Sequence, residues 1–271
     1  MNYVVKTERP NTEKYVESAA RGMPNSKLTN YETVLNTTDF DKVVFMGVLR
    51  GTHLVYKHAQ ANNKDFYYID RPYWGESRAT PYWMRCVKNQ HVKTFTDHRP
   101  DDRFKKQFKE TIKSFHKNGK YVLVVPPSHA MAEMFNGKDW LKNTIKILKQ
   151  YTEREIVVRE KPYNPEAVID GEGKMVPGKS ANNRPPKPFE WDKVHAVVTF
   201  NSSISIKALT NGVPVFANFD NPCLPVSEQD FSKIETPRYD DPRPVFNSLA
   251  YNQFTQDEFR NGYYMEILDG R

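Results

Sequence analysis

Asp41-Lys42-Val43-Val44-Phe45-Met46-Gly47-Val48-Leu49 runs into Arg50-Gly51-Thr52, a stretch of helical spacing from Leu54 to Ala61, and Phe66-Tyr67-Tyr68-Ile69 ending on Asp70-Arg71-Pro72. The two apolar runs are short and rich in β-branched and aromatic residues, as buried strands are. Strand, loop, helix and strand in that order form the βαβ unit of a parallel sheet. The pattern recurs further along. Tyr121–Val125 reads as a strand and Pro126-Pro127-Ser128-His129 as its turn. A helix from Trp140 to Gln150 carries Leu141, Ile145 and Leu148 at helical spacing, and Glu155–Val158 is the next strand. Val194–Phe200 is another strand, followed by Asn201-Ser202-Ser203, a helix through Leu209 closed by Asn211-Gly212, and a last strand at Val213–Ala217. Glycine at that point supplies the left-handed residue that ends a helix.

The fold expected from this is α/β, with two Rossmann-like domains, 1–117 and 118–271, facing across a cleft. At the end of the first, 101–117 reads as a basic amphipathic helix with Phe104, Phe108, Ile112 and Phe115 on one face. Residues 163–188, rich in Gly, Pro and Asn, read as a long, mobile loop, and loops of that length are functional or disordered. A C-terminal helix is free to pack back on the first domain. Ligands in such sheets bind beyond the carboxyl ends of the strands, so the residues following each strand carry the functional reading.

Composition sets the bounds. The chain has 271 residues, 38% hydrophobic, 13% aromatic and 27% charged, a globular balance rather than a disordered one. No apolar run approaches the roughly 18 residues of a membrane span, and the first eight residues lack the apolar centre of a secretory signal. Cys86 and Cys223 stand far apart, with neither a disulfide framework nor a metal-like spacing. A reducing cytoplasm is the expected location. The net charge of +7 suits either a polyanion partner or simply a basic enzyme.

Asn201-Ser202-Ser203 places small polar residues where a helix starts after a buried strand. They can cap the helix, and its free N–H groups with the dipole behind them can also hold a phosphate. Arg159 and Lys161, again at a strand end, could bracket a diphosphate or form a solvated charge cluster. Ser128 and His129 occupy the equivalent place after the first strand of this unit. Asp70, or Glu76 nearby, could take a proton from an acceptor hydroxyl, or could cap a turn and pair with Arg71 or Arg78. Neither a Gly-x-Gly-x-x-Gly fingerprint nor a Gly-Lys-Ser/Thr phosphate loop occurs, which argues against dehydrogenases and P-loop ATPases. The pairs Asp101-Asp102 and Asp240-Asp241 do not follow a strand as a metal-binding Asp-x-Asp would, and no catalytic metal is expected.

Val197-Val198-Thr199-Phe200-Asn201-Ser202-Ser203, followed by Ala208-Leu209-Thr210-Asn211-Gly212-Val213-Pro214-Val215, resembles the nucleotide-sugar segment of capsular-polysaccharide-type glycosyltransferases of GT-B fold. Ile234-Glu235-Thr236-Pro237 and the stretch from Leu249 to Thr255, with Glu258 and Gly262, resemble their closing motif. Phe66–Asp70 with Tyr73, and Tyr82-Trp83-Met84-Arg85, resemble a version in bacteriophage proteins that glycosylate modified bases in DNA. The resemblance spans about 42–262. It implies a UDP-linked nucleotide-sugar donor held by Ser128, Arg159, Lys161, Asn201, Ser202, Ser203 and Glu235, with Lys161-Pro162 standing where many relatives have His-Pro. No further cofactor and no metal are implied, and Asp70 is the implied base.

For the acceptor, the expectation is the hydroxymethyl group of a modified pyrimidine, such as hydroxymethylcytosine, in phage DNA within a host cytoplasm. Cations interleaved with aromatics supply its contacts: Arg71, Trp74, Arg85, Lys105 and Lys106. Part of that aromatic set would fill the core instead. A polysaccharide or lipid-linked acceptor, and a DNA-binding relative without catalysis, are the competing readings.

Overall fold

The computed structural model of the chain describes residues 1–7, 10–75, 82–159, 167–171, 173–177 and 189–270. In the first half, β1 (Asn2–Val5), α1 (Pro10–Gly22), β2 (Ser26–Thr29), α2 (Tyr31–Leu35), β3 (Lys42–Met46), α3 (Thr52–Ala61) and β4 (Asp65–Asp70) alternate before β5 (Met84–Lys88) turns back. The first four strands are parallel in the order β2-β1-β3-β4, and β5 adds antiparallel to β4. Val43, Val44, Phe45, Tyr67, Tyr68 and Ile69 are all buried. These strands therefore read as continuous apolar runs, because both faces of the sheet are covered.

Next come α4 (Asp102–Gln107), β6 (Tyr121–Val125), α5 (His129–Met134), α6 (Trp140–Tyr151), β7 (Glu155–Val158), β8 (Ala167–Ile169), β9 (Met175–Pro177), β10 (Val194–Thr199), α7 (Ile204–Thr210) and β11 (Val215–Phe216). A second, wholly parallel sheet has the order β7-β6-β10-β11. Numbered within its own unit, that order repeats the 2-1-3-4 arrangement of the first sheet. Each sheet therefore reverses its winding once, between β1 and β3 and between β6 and β10, and a crevice opens at such a point.

The chain then crosses back. After α8 (Arg243–Ala250), β12 (Gln253–Phe254) pairs antiparallel with β5, and α9 (Gln256–Arg260) and α10 (Tyr263–Leu268) cover the first sheet. Tyr15, Val16 and Ala19 of α1 share a buried cluster with Phe254, Phe259 and Tyr264. Asp269 locks the end down by accepting from Tyr67 (2.6 Å) and pairing with Lys42 (2.8 Å) and Lys88 (3.0 Å). Conversely, Trp74, Phe104 and Phe108 pack with Leu123, Val125 and Phe246 in the core of the second sheet.

The structure differs from the sequence reading at several elements. The helix expected over 101–117 ends at Gln107, because Phe108 turns extended and the following backbone bonds elsewhere. The Lys113 amide donates to Thr210 O (2.9 Å) and that of His116 to Gly212 O (3.1 Å), so the segment lies along α7 as an extended strap. The loop expected over 163–188 contains the antiparallel pair β8 and β9, which buries Ala167 and Met175 against the first unit. The last strand, expected over Val213–Ala217, pairs only at Val215–Phe216.

Candidate functional site

A cavity of about 560 Å³ opens at the carboxyl ends of the first sheet, across the β1/β3 reversal. Lys6 follows β1, Asn30 to Glu32 follow β2, Met46 to Arg50 follow β3, and Asp70 and Arg71 close β4. Glu13 of α1 and Lys174 of the β8–β9 turn also line it. Ser128, Ala130 and Met131 reach it from the second sheet, so the wall draws on the carboxyl edge of both. Its charges are mixed. Lys6, Arg50, Arg71 and Lys174 face Glu13, Glu32 and Asp70 across one space.

The β3–α3 loop shapes the floor. Gly47 (φ +67°) and Gly51 (φ +89°) take left-handed backbone, and a Cβ on Gly51 would lie 2.6 Å from the Tyr31 ring. Thr52 Oγ1 donates back to Gly47 O (2.9 Å) and Leu49 O (2.8 Å), which closes the loop before α3 begins. An aromatic chain joins the two sheets behind this floor. Tyr68, His91, Phe135, Phe219 and Phe200 follow one another at centroid spacings of 5.1, 5.2, 5.3 and 4.1 Å.

Asp70 lies at the cavity wall, with its carboxylate fully engaged. Arg85 Nη2 donates to Oδ2 at 2.8 Å, Tyr68 O–H to the same oxygen at 2.8 Å, and the Arg71 amide to Oδ1 at 2.8 Å. Burial pulls its pKa upward, but the Arg85 guanidinium and these donors outweigh it and hold the carboxyl at about 2. A group so strongly stabilised as an anion is a weak proton acceptor, which counts against the expected role of base. Glu76, the alternative base, lies outside the described residues.

The donor residues divide. Ser128 caps α5, accepting from the Met131 amide (3.4 Å), and borders the cavity. Arg159 ends β7 with its guanidinium 3.6 Å from the Phe189 ring centroid. Asn201, Ser202 and Ser203 follow β10 at the β6/β10 reversal, on the same sheet edge as Ser128 and Arg159. Ser203 is exposed, while Ser202 is buried, its carbonyl accepting from Ser205 Oγ (3.1 Å) and Asn221 Nδ2 (3.3 Å). Asn201 is also buried, and its Nδ2 has no hydrogen-bond partner among the described residues. Lys161 lies outside the described residues. Glu235 is not with this group. It pairs with Arg154 (3.0 Å) and accepts from Thr152, both of which precede β7, at the opposite, amino edge of the sheet. Its carboxylate is engaged in holding that edge together.

Two of the expected nucleic-acid contacts are interior residues. Trp74 is 7% exposed and packs edge-on against Phe104 and Phe108, so its indole fills the core and offers no face to a base. Arg85 is 9% exposed, paired with Asp70 and set over the Tyr68 and Tyr73 rings. Arg71 lines the cavity, and Lys105 and Lys106 lie exposed on α4, Lys105 paired with Asp101 at 2.8 Å. The sequence reading missed Lys174, which lies in the segment it read as a long loop, and Lys6, Glu13 and Glu32, which come from an N-terminal stretch it left unassigned. Asn30, an N-cap accepting from the Thr33 amide at 3.0 Å, was the available local signal for a helix start there.

Among the described residues no group of three or more His, Cys, Asp or Glu side chains could hold a metal ion, and no helix is long and apolar enough to cross a membrane. No family model matches the sequence, and no curated protein matches it. Among solved structures, the chain is similar to Thermosulfurimonas dismutans KpsC, beta Kdo 2,7 transferase, at TM-score 0.48 and 12% identity, over 99% of this chain and 98% of that one. It is also similar to Thermosulfurimonas dismutans KpsC, beta Kdo 2,4 transferase, at TM-score 0.47 and 9% identity, over 91% and 89% of the two chains.

Proposed function

We propose that the protein is a glycosyltransferase of GT-B form that moves a sugar from a nucleoside-diphosphate sugar to an acceptor hydroxyl. The observation that carries this reading is the cavity at the winding reversal of the first sheet, bordered also by Ser128, Ala130 and Met131 from the carboxyl edge of the second. A transfer between two substrates needs two binding edges that meet, and two doubly wound sheets supply one each. The donor belongs to the second sheet, with Ser128, Arg159 and the Asn201–Ser203 turn around its diphosphate. Lys6, Arg50, Arg71 and Lys174 supply positive charge to the shared space. The sequence resemblance across Val197–Val215 supports the same assignment. In this reading the leaving diphosphate is stabilised by side-chain cations, and transfer is expected to survive chelation by EDTA.

The acceptor proposed is the hydroxymethyl group of a modified pyrimidine in DNA. With Trp74 and Arg85 in the interior, it rests on the net charge of +7, on exposed Lys105 and Lys106, and on Arg71 at the cavity. The test is to incubate the protein with UDP-linked and other nucleotide-sugars and hydroxymethylated DNA, digest to nucleosides and weigh them. A hexose- or pentose-sized mass gain on the modified nucleoside supports both claims. Donor consumption without it moves the acceptor to a polysaccharide or lipid-linked glycan. No consumption of any donor, with or without acceptors, rejects the transferase.

A further inference from the structure

Among the described residues three carboxylates line the cavity, and two of them are poorly suited to take a proton from a bound hydroxyl. Asp70 is held as an anion by Arg85, Tyr68 and the Arg71 amide. Glu32 is exposed, on the five-residue helix α2. Glu13 is half-buried in the first turn of the thirteen-residue helix α1, and makes no hydrogen bond or ion pair among the described residues. A carboxylate partly withdrawn from water at a cavity wall and held in no ion pair is free to accept a proton from a bound hydroxyl.

Its place follows from the packing of α1. The inner face of α1 is anchored by Tyr15, Val16 and Ala19 in the cluster shared with Phe259 and Tyr264, and the Tyr15 and Phe259 rings meet edge-on at 6.1 Å. Among the described residues, the charged groups sharing the cavity with Glu13 are Lys6 after β1, Glu32 on α2, Arg50 before α3, Asp70 and Arg71 at the end of β4, and Lys174 from the hairpin. Cations thus surround the place where a second anion, a donor phosphate, would approach.

We infer that Glu13 is the general base of the transfer, the role expected of Asp70, and that Asp70 instead positions Arg85 and the cavity wall. The inference rests on the proposed transferase reading. As the acceptor oxygen bonds to the anomeric carbon, its proton passes to the Glu13 carboxylate. The bond from that carbon to the diphosphate oxygen breaks, and its electron pair leaves with the nucleoside diphosphate.

The experiment uses the full chain, with transfer to water and to hydroxymethylated DNA followed for the nucleotide-sugar that the wild type consumes. Glu13→Gln is expected to lower kcat by roughly a hundredfold and to leave the donor KM within about threefold. Glu13→Ala is expected to regain turnover in formate, which supplies a carboxylate that a merely structural role would not require. Should the glutamine variant melt below assay temperature, Glu13→Asp carries the test: withdrawing the carboxylate by one methylene is expected to cut kcat about tenfold or more. Wild-type-like kcat in Glu13→Gln or Glu13→Asp, or no formate rescue of an inactive Glu13→Ala, overturns the base while leaving the transferase standing. A wild type that consumes no donor overturns both.

Discussion

Asp70 accepts from Arg85, Tyr68 and the Arg71 amide, so protonating it would weaken these bonds and leave the Arg85 charge buried without its anionic partner. That argument makes a stability prediction. With the folded carboxyl at about 2, below its ordinary 3.8, the stabilisation is fully present above the ordinary value and is lost as pH falls toward 2. Asp70→Asn is therefore expected to cost roughly 3 kcal/mol at neutral pH and to flatten the fall in Tm between about pH 4 and pH 2, as read from thermal melts. An unchanged Tm at neutral pH would show that the pair is dispensable. Asn201 makes the opposite case, since its buried Nδ2 has no hydrogen-bond partner among the described residues. Asn201→Ala is expected to leave Tm within about a degree yet weaken nucleotide-sugar binding about tenfold, the value of one lost hydrogen bond. Calorimetry giving wild-type affinity would remove Asn201 from the donor site.

Among the elements, α1 and the β3–α3 loop depend on close backbone approaches that only glycine permits. A Cβ on Gly22, at the end of α1, would lie 2.1 Å from Phe259 O and 2.7 Å from the Gly262 amide nitrogen. Both contacts are to backbone, which cannot rotate aside. Gly22→Ala is expected to push α1 off α9 and to cost about 2 kcal/mol or more in chemical denaturation. Because α1 carries Glu13, the folded variant is also expected to lose turnover before it loses donor binding. A stable variant with full activity would mean that the α1–α9 contact does not hold the cavity. Arg103 fixes the same corner, reaching Glu258 (2.6 Å) and Gln253 O (2.6 Å) from α4. The 101–117 segment, read from its phenylalanine spacing as one helix, thus splits into a clamp on the C-terminal return and a strap along α7.

For the whole molecule, the open question of the acceptor is one of field rather than of single contacts. Lys105 and Lys106 sit on one exposed surface of a chain with net charge +7, and two of the residues first paired with them for DNA binding are interior. DNA affinity is therefore expected to come from phosphate contacts alone and to fall steeply with salt, in proportion to the counterions released. Reversing both lysines to glutamate is expected to lower the salt slope by about two, measured by fluorescence anisotropy on hydroxymethylated and plain duplexes. A slope unaffected by that change, or no binding at low salt, would move the acceptor away from DNA.

The fold class was legible in the local pattern, because a strand buried on both faces must be a short apolar run and a crossover helix must follow it. Val43–Phe45, Tyr121–Val125 and Val194–Val198 declare themselves that way. Local pattern also located the carboxyl-edge residues Ser128, Arg159 and Asn201 to Ser203, since each simply follows its strand. It could not tell an exposed aromatic from a buried one: Trp74 and Arg85 have neighbours that look like a binding surface and partners that make them core. Nor could it find Glu13 or Lys174, since no spacing along the chain links an N-terminal helix to a hairpin turn more than a hundred residues away. Only the closing of α9 and α10 on α1, and of β8–β9 over the first sheet, brings those side chains to one cavity. Proximity of that kind arises from packing between distant segments, and nothing in a residue's immediate neighbours records it.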